Sequence, residues 1–218
     1  MHKRIATYQF ITSDVERHTH AELAEFACLG GASWVQLRIK NHDEQSWEKI
    51  ALEVHRICKK YKATLIINDN AQLAKAINAD GVHLGKNDLS IKEAREILGE
   101  EKIIGGTANA IEDVVKLAKQ GVDYIGLGPF RYTTTKKNLS PVLGIEHMTK
   151  IIAEAKRVIE RTIPIVAIGG IDLRDVQSIV AAGLHGCAIS SAVTKSDYKI
   201  INSAKFAHEL RSITQTAE

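Results

Sequence analysis

The chain has 218 residues, of which 44% are hydrophobic and 25% are charged, and its formal net charge is +3. These values are ordinary for a globular protein, and a chain of this length buries roughly 70% of the surface that it exposes when unfolded. Lysines and arginines are scattered among nearly as many acidic residues, so no basic stripe indicates nucleic acid as a partner. The small positive excess fits a small anionic ligand at least as well.

The three cysteines, Cys28, Cys58 and Cys187, do not have the spacing of metal ligands, and each lies in an apolar run. We interpret them as reduced, buried thiols of an intracellular protein. No apolar run approaches the ~20 residues of a membrane span, and the first residues contain no long apolar segment. We therefore expect a cytoplasmic protein with no membrane partner. The sequence leaves open whether it forms a homo-oligomer.

Short apolar runs alternate with longer amphipathic runs along the chain. The predicted strands are Tyr8–Thr12, Trp34–Arg38, Thr64–Asn68, Gly81–Leu84, Ile103–Gly106, Tyr124–Leu127, Ile165–Ile168 and Gly186–Ser190. The predicted helices are His20–Gly30, Trp47–Tyr61, Ala71–Ile77, Lys92–Leu98, Ile111–Gln120, Ile145–Ile159, Leu173–Ala182 and Ile201–Ile213. Ser90, just before the fourth helix, is a candidate N-cap.

Strands that alternate with helices predict a parallel sheet, and about eight such units in this length predict a closed (β/α)8 TIM barrel. We expect one domain over residues 1–218, because no linker or low-complexity segment interrupts the pattern. A doubly wound open sheet is the alternative. It normally has a glycine-rich dinucleotide loop after its first strand, where this chain has the segment TSDV at 12–15.

In a TIM barrel the functional residues follow the carboxyl ends of the strands. The second strand ends in the segment QLRIK. Side chains alternate along a strand, so Gln36, Arg38 and Lys40 share one face, and Leu37 and Ile39 share the other. Two cations and an amide on one face predict a clamp for a phosphate, which Arg38 can hold through two parallel hydrogen bonds. The alternative is a solvated strand end.

Two acidic residues follow neighbouring strands. The third strand ends in Asn68 and Asp69, and the fourth leads to Asp88. Such a pair can converge on one Mg²⁺ ion, which takes one or two carboxylates together with phosphate oxygens and water. The alternative is that each acid caps the helix that follows it. Thr107, after the fifth strand, is a candidate hydroxyl donor.

A long loop, from Gly126 to Gly144, follows the sixth strand. It contains three threonines at 133–135 and Lys136 between glycines and prolines, a mixture typical of a loop that handles phosphate. Thr133 and Thr135 alternate with Thr134 and can face one target.

A second anion site is predicted after strands seven and eight, where TIM barrels often bind a phosphomonoester. Gly170 allows close approach of the backbone, and Ser190 and Ser191 offer hydroxyls. Two separate anion sites suggest a transferase that joins two small phosphorylated substrates.

Taken together, these motifs resemble the thiamine phosphate synthase family over nearly the whole chain. The pieces that carry the likeness are Q-L-R-x-K at 36–40, N-D at 68–69, G-V-H-L-G-x-x-D at 81–88, T-x-T-K at 133–136 and A-I-G-G-I at 167–171. The resemblance implies a transferase that condenses 4-amino-2-methyl-5-(diphosphooxymethyl)pyrimidine with a thiazole phosphate or carboxythiazole phosphate. The products would be thiamine phosphate and pyrophosphate, and the pyrophosphate would leave before the thiazole nitrogen attacks.

The resemblance also assigns roles. The residues for the pyrimidine diphosphate are Gln36, Leu37, Arg38, Ile39, Lys40, Asn68, Thr107 and Lys136. Those for the thiazole phosphate are Thr133, Thr134, Thr135, Gly170, Ser190 and Ser191. Asp69 and Asp88 would bind Mg²⁺, and Arg38, Lys136 and Thr107 are the expected catalytic residues. Lys86 stands where the family usually has Gln and would add a cation beside the metal, whereas His83 is interpreted as structural.

Three other functions remain to be distinguished. A thiazole tautomerase would share the barrel and one phosphate site, but typically lacks the full set of N-D, second Asp and T-x-T-K motifs. A catalytically silent barrel that regulates a partner would have no reason to keep a magnesium pair. A phosphate-binding isomerase would need a positioned acid or base between the two sites, and none stands out in the sequence.

Overall fold

The computed structural model describes residues 5–40, 44–133 and 141–215. Eight parallel strands form one closed barrel in chain order, with the eighth strand hydrogen-bonded to the first. The strands are β1 (Tyr8–Ile11), β2 (Trp34–Leu37), β3 (Thr64–Asn68), β4 (Gly81–Leu84), β5 (Ile103–Ala108), β6 (Tyr124–Leu127), β7 (Ile165–Ile168) and β8 (Gly186–Ile189). The predicted (β/α)8 barrel is therefore confirmed, and the open sheet is wrong.

The helices surround the barrel. They are α1 (His20–Leu29), α2 (Glu44–Tyr61), α3 (Ala71–Ala76), α4 (Ile91–Leu98), α5 (Ile111–Gln120), α6 (Gly144–Val158), α7 (Val176–Ala181), α8 (Ser191–Thr194) and α9 (Lys199–Gln215). Ser90 caps α4 as expected, through a reciprocal pair of hydrogen bonds with Glu93. In the described ranges, no helix has the length and apolar character needed to cross a membrane.

Alternation along the strands divides the core into two layers. Outward side chains such as Val35 and Leu37 pack against the helices. Inward side chains form a separate cluster inside the barrel, which consists of Ile11, Trp34, Ile66, Ile103, Tyr124, Val166 and Ala188. Trp34 and Tyr124 meet edge to face, with 4.7 Å between their ring centroids. These rings fill the lower barrel, so any ligand space lies above them.

Some element boundaries differ from those expected. β5 extends to Ala108, two residues beyond its predicted end, because Thr107 and Ala108 pair with Gly126 and Leu127 of β6. The predicted helix after β7 is a 3-10 turn followed by the short α7.

The cysteines match the expectation. Cys28, Cys58 and Cys187 are free and buried. Burial raises the pKa of the Cys28 thiol to about 12 and that of the Cys187 thiol to about 12, so both are protonated and unreactive at neutral pH.

Candidate active site

A cavity opens at the carboxyl ends of the strands, the face of a TIM barrel that carries catalysis. One side is lined by polar and charged residues of the first half of the barrel, and the other by the loops after β6, β7 and β8. The sequence-predicted residues that line it are Gln36, Arg38, Lys40, Asn68, Asp69, Thr107, Thr133, Gly170, Ser190 and Ser191. The barrel therefore brings residues from both predicted anion sites into one space.

The expected alternation after β2 is present. Gln36, Arg38 and Lys40 line the cavity. Leu37 and Ile39 are buried in the outer core, so their side chains do not reach it. Burial lowers the pKa of the half-buried Arg38 guanidinium, and the charges of Asp69 and Asp14 oppose this shift. The guanidinium still titrates far above neutral pH and presents a fixed positive charge.

The backbone of this clamp is held by three residues that the sequence analysis did not single out. The hydroxyl of Thr12 accepts a hydrogen bond from the Arg38 N–H at 3.1 Å, and Asp14 accepts one from the Lys40 N–H at 3.1 Å. His20 bridges these two side chains, with Nδ1 2.8 Å from Thr12 and Nε2 3.1 Å from Asp14. The clamp thus rests on a buried set of polar contacts with α1.

The two acidic residues lie side by side. Lys40 Nζ is 2.5 Å from Asp69 Oδ2, and Asp88 accepts a hydrogen bond from the Gly85 N–H at 2.6 Å. Burial and a hydrogen bond with Asp69 raise the pKa of Asp88. Burial acts to raise the pKa of Asp69, but the hydrogen bond from Lys40 outweighs it, so the pKa of Asp69 is lower than usual. A single proton shared by the pair would therefore reside on Asp88.

The alternative role of these acids as helix caps is wrong. Asn70 caps α3, because its side chain accepts a hydrogen bond from the Leu73 N–H, and Ser90 caps α4. Asp69 itself has a φ of 65°, a backbone conformation that is uncommon outside glycine. Asp69 lines the cavity, and its carboxyl group is hydrogen-bonded to that of Asp88.

Lys86 does not contact the acidic pair. Its ammonium group lies 2.6 Å from Asp113 Oδ2 on α5. The cation that was expected to compete beside the metal is therefore neutralised by a different carboxylate.

A chain of hydrogen bonds crosses the floor of the cavity. The Gln36 amide donates to Gln9 at 3.5 Å, and the Gln9 amide donates to the Tyr124 hydroxyl at 3.2 Å. Nδ1 of His83 is 3.0 Å from the Tyr124 hydroxyl, and Nε2 is 3.0 Å from the Thr107 hydroxyl. Because Tyr124 accepts from Gln9, we infer that it donates to His83 Nδ1, which places the histidine proton on Nε2.

This chain of bonds fixes which groups face a ligand. In the inferred tautomer His83 Nε2 donates to Thr107, which leaves the Thr107 hydroxyl proton for a ligand atom. The Gln36 amide group donates to Gln9, which leaves its carbonyl oxygen as an acceptor. Gly105 makes the arrangement possible, because a Cβ there would lie 2.2 Å from the Tyr124 ring and 2.7 Å from His83 Nδ1. His83 lines the cavity as well as supporting its floor.

The opposite side of the cavity is built from glycine backbone and hydroxyls. Gly169 and Gly170 have φ values of 99° and 66°, which only glycine adopts readily. The Ser190 hydroxyl is buried and has no hydrogen-bond partner among the described residues. Ser191 and Thr133 line the same side. Thr134, Thr135 and Lys136 lie outside the described residues, and their predicted roles stay predictions.

Asn109 is a cavity residue that the sequence analysis missed. Its side-chain amide donates to the Gly128 carbonyl, beside the cis Gly128–Pro129 bond. Asn109 follows Thr107 by two residues, directly after the end of β5, so continued alternation of side chains past the strand already predicted that the two share one face.

A closed parallel barrel whose carboxyl end holds a cavity with Arg38 and Lys40 on one side and glycine backbone on the other defines a phosphate-binding TIM-barrel enzyme. Residues 8–193 match the family model described as thiamine monophosphate synthase. The chain belongs to this family. It is accordingly a transferase of thiamine biosynthesis that forms thiamine phosphate from a pyrimidine and a thiazole.

Individual relatives agree with this assignment. The chain is 45% identical over 209 residues to a thiamine-phosphate synthase of Bacteroides thetaiotaomicron, covering 96% of this chain and 100% of the relative. It is 52% identical over 171 residues to one of Flavobacterium psychrophilum, covering 78% and 82%. Among solved structures, a thiamine phosphate pyrophosphorylase from Pyrococcus furiosus superposes with a TM-score of 0.83 at 28% identity, covering 95% of this chain and 96% of that one.

Proposed function

We propose that the cavity binds both substrates of this condensation at once. The pyrimidine diphosphate binds on the clamp side, formed by Gln36, Arg38 and Lys40, and the thiazole phosphate binds on the glycine side, formed by Gly169, Gly170 and Ser190. The observation that carries the proposal is that one continuous cavity is lined by both sets of phosphate-binding groups. Arg38, Lys40 and Asn68 stand at one side, and Gly170 and Ser190 stand at the other. A barrel that only isomerised the thiazole would have no use for the first set.

The diphosphate would lie against Arg38 and Lys40. A planar guanidinium forms paired hydrogen bonds with phosphate oxygens, and the ammonium group adds a compact charge. The aminopyrimidine ring would extend over the floor of the cavity. There the Gln36 carbonyl can accept from its amino group, and the Thr107 hydroxyl can donate to a ring nitrogen.

The thiazole phosphate would lie at the glycine side. Backbone N–H groups at Gly170 and the hydroxyls of Ser190 and Ser191 are suited to phosphate oxygens. The buried Ser190 hydroxyl, which has no partner in the described part of the chain, supports this placement, because a buried polar atom normally finds a hydrogen bond. A phosphate oxygen at this position would supply it.

Asp69 and Asp88 fit a magnesium ion. Burial, and then the hydrogen bond with Asp69, raise the pKa of Asp88, and repulsion between the two carboxyl groups adds to this shift. A divalent cation would relieve that repulsion. Within the described ranges, no group of three or more His, Cys, Asp or Glu side chains could hold a metal. Diphosphate oxygens and water would therefore complete the coordination. Bound Mg²⁺ would supply positive charge to the leaving pyrophosphate.

The residues of the clamp side would promote departure of the pyrophosphate. The bond between the pyrimidine methylene carbon and the diphosphate oxygen breaks, and its electron pair leaves with the pyrophosphate. The thiazole nitrogen lone pair then forms the new carbon–nitrogen bond. Arg38 and Lys40 stabilise the charge that develops on the leaving group. No cysteine lines the described part of the cavity, and no covalent intermediate with the chain is required.

Incubation of the purified protein with both substrates and Mg²⁺ tests the proposal. We expect thiamine phosphate and pyrophosphate in equal amounts, and no product when a chelator is present. Conversion of the thiazole phosphate between tautomers without coupling would instead indicate a thiazole tautomerase. Binding of the thiazole phosphate without any turnover would indicate a regulatory barrel. A homo-oligomer and a cytoplasmic location stay predictions.

A further inference from the structure

The loop after β6 is attached directly to the glycine turn after β7. The Phe130 N–H donates to the Ile168 carbonyl at 2.8 Å, and the Arg131 N–H donates to the Gly169 carbonyl at 2.9 Å. The pairing of the two strands thus continues beyond their ends. A Cβ on Gly170 would lie 2.9 Å from the Tyr132 carbonyl oxygen and 3.0 Å from Arg131 Cβ, so the two segments are in tight contact.

Arg131 also holds this turn through its side chain. The guanidinium donates to the Gly170 carbonyl at 2.6 Å and to the two carboxylate oxygens of Asp175 at 2.9 Å each. Asp175 is only 8% exposed and accepts a further hydrogen bond from the Asp172 N–H at 2.8 Å. Burial alone would raise the pKa of Asp175, but the hydrogen bonds from Arg131 and Asp172 make it lower than usual. The pair is therefore ionised and doubly hydrogen-bonded at neutral pH.

These contacts occupy two consecutive carbonyl groups of the turn. In a planar trans peptide the N–H points opposite to the carbonyl. Because Arg131 binds the carbonyls of Gly169 and Gly170, the N–H groups of Gly170 and Ile171 point away from Arg131. Neither N–H forms a hydrogen bond with another residue that the structure describes. Gly170 and Ile171 both line the cavity, whereas Arg131 does not.

We propose that Arg131, held by Asp175, is a positioning residue that orients the Gly170 and Ile171 N–H groups toward the phosphate of the thiazole substrate. Successive N–H groups on one side of a turn form a concave site for an anion. This inference rests on the proposed placement of the thiazole phosphate. Arg131 acts through the turn, since its guanidinium is already bound by Asp175 and the Gly170 carbonyl.

Steady-state kinetics of Arg131→Ala test the inference. We expect the KM for the thiazole phosphate to rise about tenfold, in line with losing a charged hydrogen bond, while the KM for the pyrimidine diphosphate changes by less than about twofold. Added guanidinium ion should restore much of the lost affinity by occupying the vacated position. A merely structural role would not show this rescue or this difference between substrates.

Arg174→Ala is the matched control. Arg174 is 80% exposed and lies 3.5 Å from Asp172, so its removal deletes the same charge near the turn without a bond to either glycine carbonyl. We expect unchanged KM values and no response to guanidinium. If the KM for the thiazole phosphate changes equally in Arg174→Ala and Arg131→Ala, loss of positive charge near the turn explains the effect, and the positioning role is contradicted.

Asp175→Asn keeps the test decisive if Arg131→Ala does not fold. It retains one acceptor oxygen, and we expect a smaller rise in the same KM. An unchanged KM for thiazole phosphate in a folded variant, or an equal rise for both substrates, contradicts the inference. Failure of the wild-type protein to form thiamine phosphate would contradict the proposed function instead, so the two failures are distinguishable.

Discussion

Nε2 of His83 lies 3.0 Å from the hydroxyl oxygen of Thr107, and this contact connects a buried imidazole to the wall of the cavity. The same imidazole is bound on its other side by Tyr124, which is completely buried. His83 was interpreted from the sequence as structural. Its position shows that the hydrogen bonds that support the barrel interior also hold the Thr107 hydroxyl at the cavity wall.

Tyr124→Phe should affect both stability and recognition of the pyrimidine. Loss of the hydroxyl removes its hydrogen bonds with His83 Nδ1 and the Gln9 amide, which costs about 1–3 kcal/mol of unfolding free energy. It also frees the Thr107 hydroxyl to reorient, so kcat/KM for the pyrimidine diphosphate should fall several-fold. Urea denaturation and steady-state kinetics measure the two effects.

Tyr8→Phe is the control for this change. The Tyr8 hydroxyl is also buried and lies 3.0 Å from the Ser203 hydroxyl, but it is in the outer layer of the core. We expect a comparable loss of stability with unchanged kcat/KM. If both variants lose kcat/KM equally, the floor of the cavity has no specific role in recognition.

Arg38→Lys should weaken binding of the pyrimidine diphosphate despite retaining the charge. Lysine cannot form the two parallel hydrogen bonds of a guanidinium, and we expect the KM for this substrate to rise about tenfold. Arg56→Lys on the exposed side of α2 is the control and should leave kinetics unchanged. An unaltered KM in Arg38→Lys would show that paired contact with the diphosphate is not required.

Asp69→Asn and Asp88→Asn should raise the Mg²⁺ concentration required for half-maximal activity, each by about tenfold or more, because a neutral amide is a poorer ligand for a hard cation. Magnesium titrations of the initial rate check this. Glu112→Gln, an exposed change in the first turn of α5, should not alter the titration. A wild-type titration curve in both Asp variants would remove the pair from metal binding.

Ser190→Ala should weaken binding of the thiazole phosphate without reducing the stability of the protein. The Ser190 hydroxyl is buried without a partner among the described residues, so its removal should leave the unfolding free energy unchanged or increase it by about 1 kcal/mol. The KM for the thiazole phosphate should rise about tenfold if the hydroxyl donates to the phosphate. Thermal unfolding without ligand and steady-state kinetics give the two values.

Ser203→Ala provides the opposite pattern. The Ser203 hydroxyl is bonded to Tyr8 and to the Ala27 carbonyl, far from the cavity. Its loss should reduce stability and leave both KM values unchanged. A stability loss in Ser190→Ala with no change in KM would contradict a phosphate contact at Ser190.

The ion pair of Arg131 and Asp175 predicts a pH dependence of stability. The pKa of Asp175 in the folded protein is lower than its unfolded value of about 3.8. Its contribution is therefore complete above about pH 4 and is lost as the pH falls through the folded pKa. The difference in unfolding free energy between wild type and Asp175→Asn should be constant near pH 7 and shrink below pH 4. A difference that grows on acidification would contradict this sign.

The sequence alone predicted the barrel and the first residue of every strand. Periodic burial and capping are local properties, because the backbone hydrogen bonds of a helix or strand impose a fixed spacing on apolar residues. The same alternation placed Gln36, Arg38 and Lys40 on the cavity face and Leu37 and Ile39 in the core. The motifs likewise identified the family, because their order and spacing are properties of the chain itself.

Only the tertiary structure decided which distant residues meet. Asp175 is 44 positions from Arg131, and Tyr124 is 115 positions from Gln9, so no local pattern announces either contact. Each depends on closure of the barrel, which brings neighbouring strands and loops together whatever their separation in sequence. The sequence also left open whether Asp69 caps a helix or lines the cavity. In the structure the Asn70 side chain caps α3, and Asp69 lines the cavity. Local sequence sets the residue types available, and the closed sheet determines which of them share one polar site.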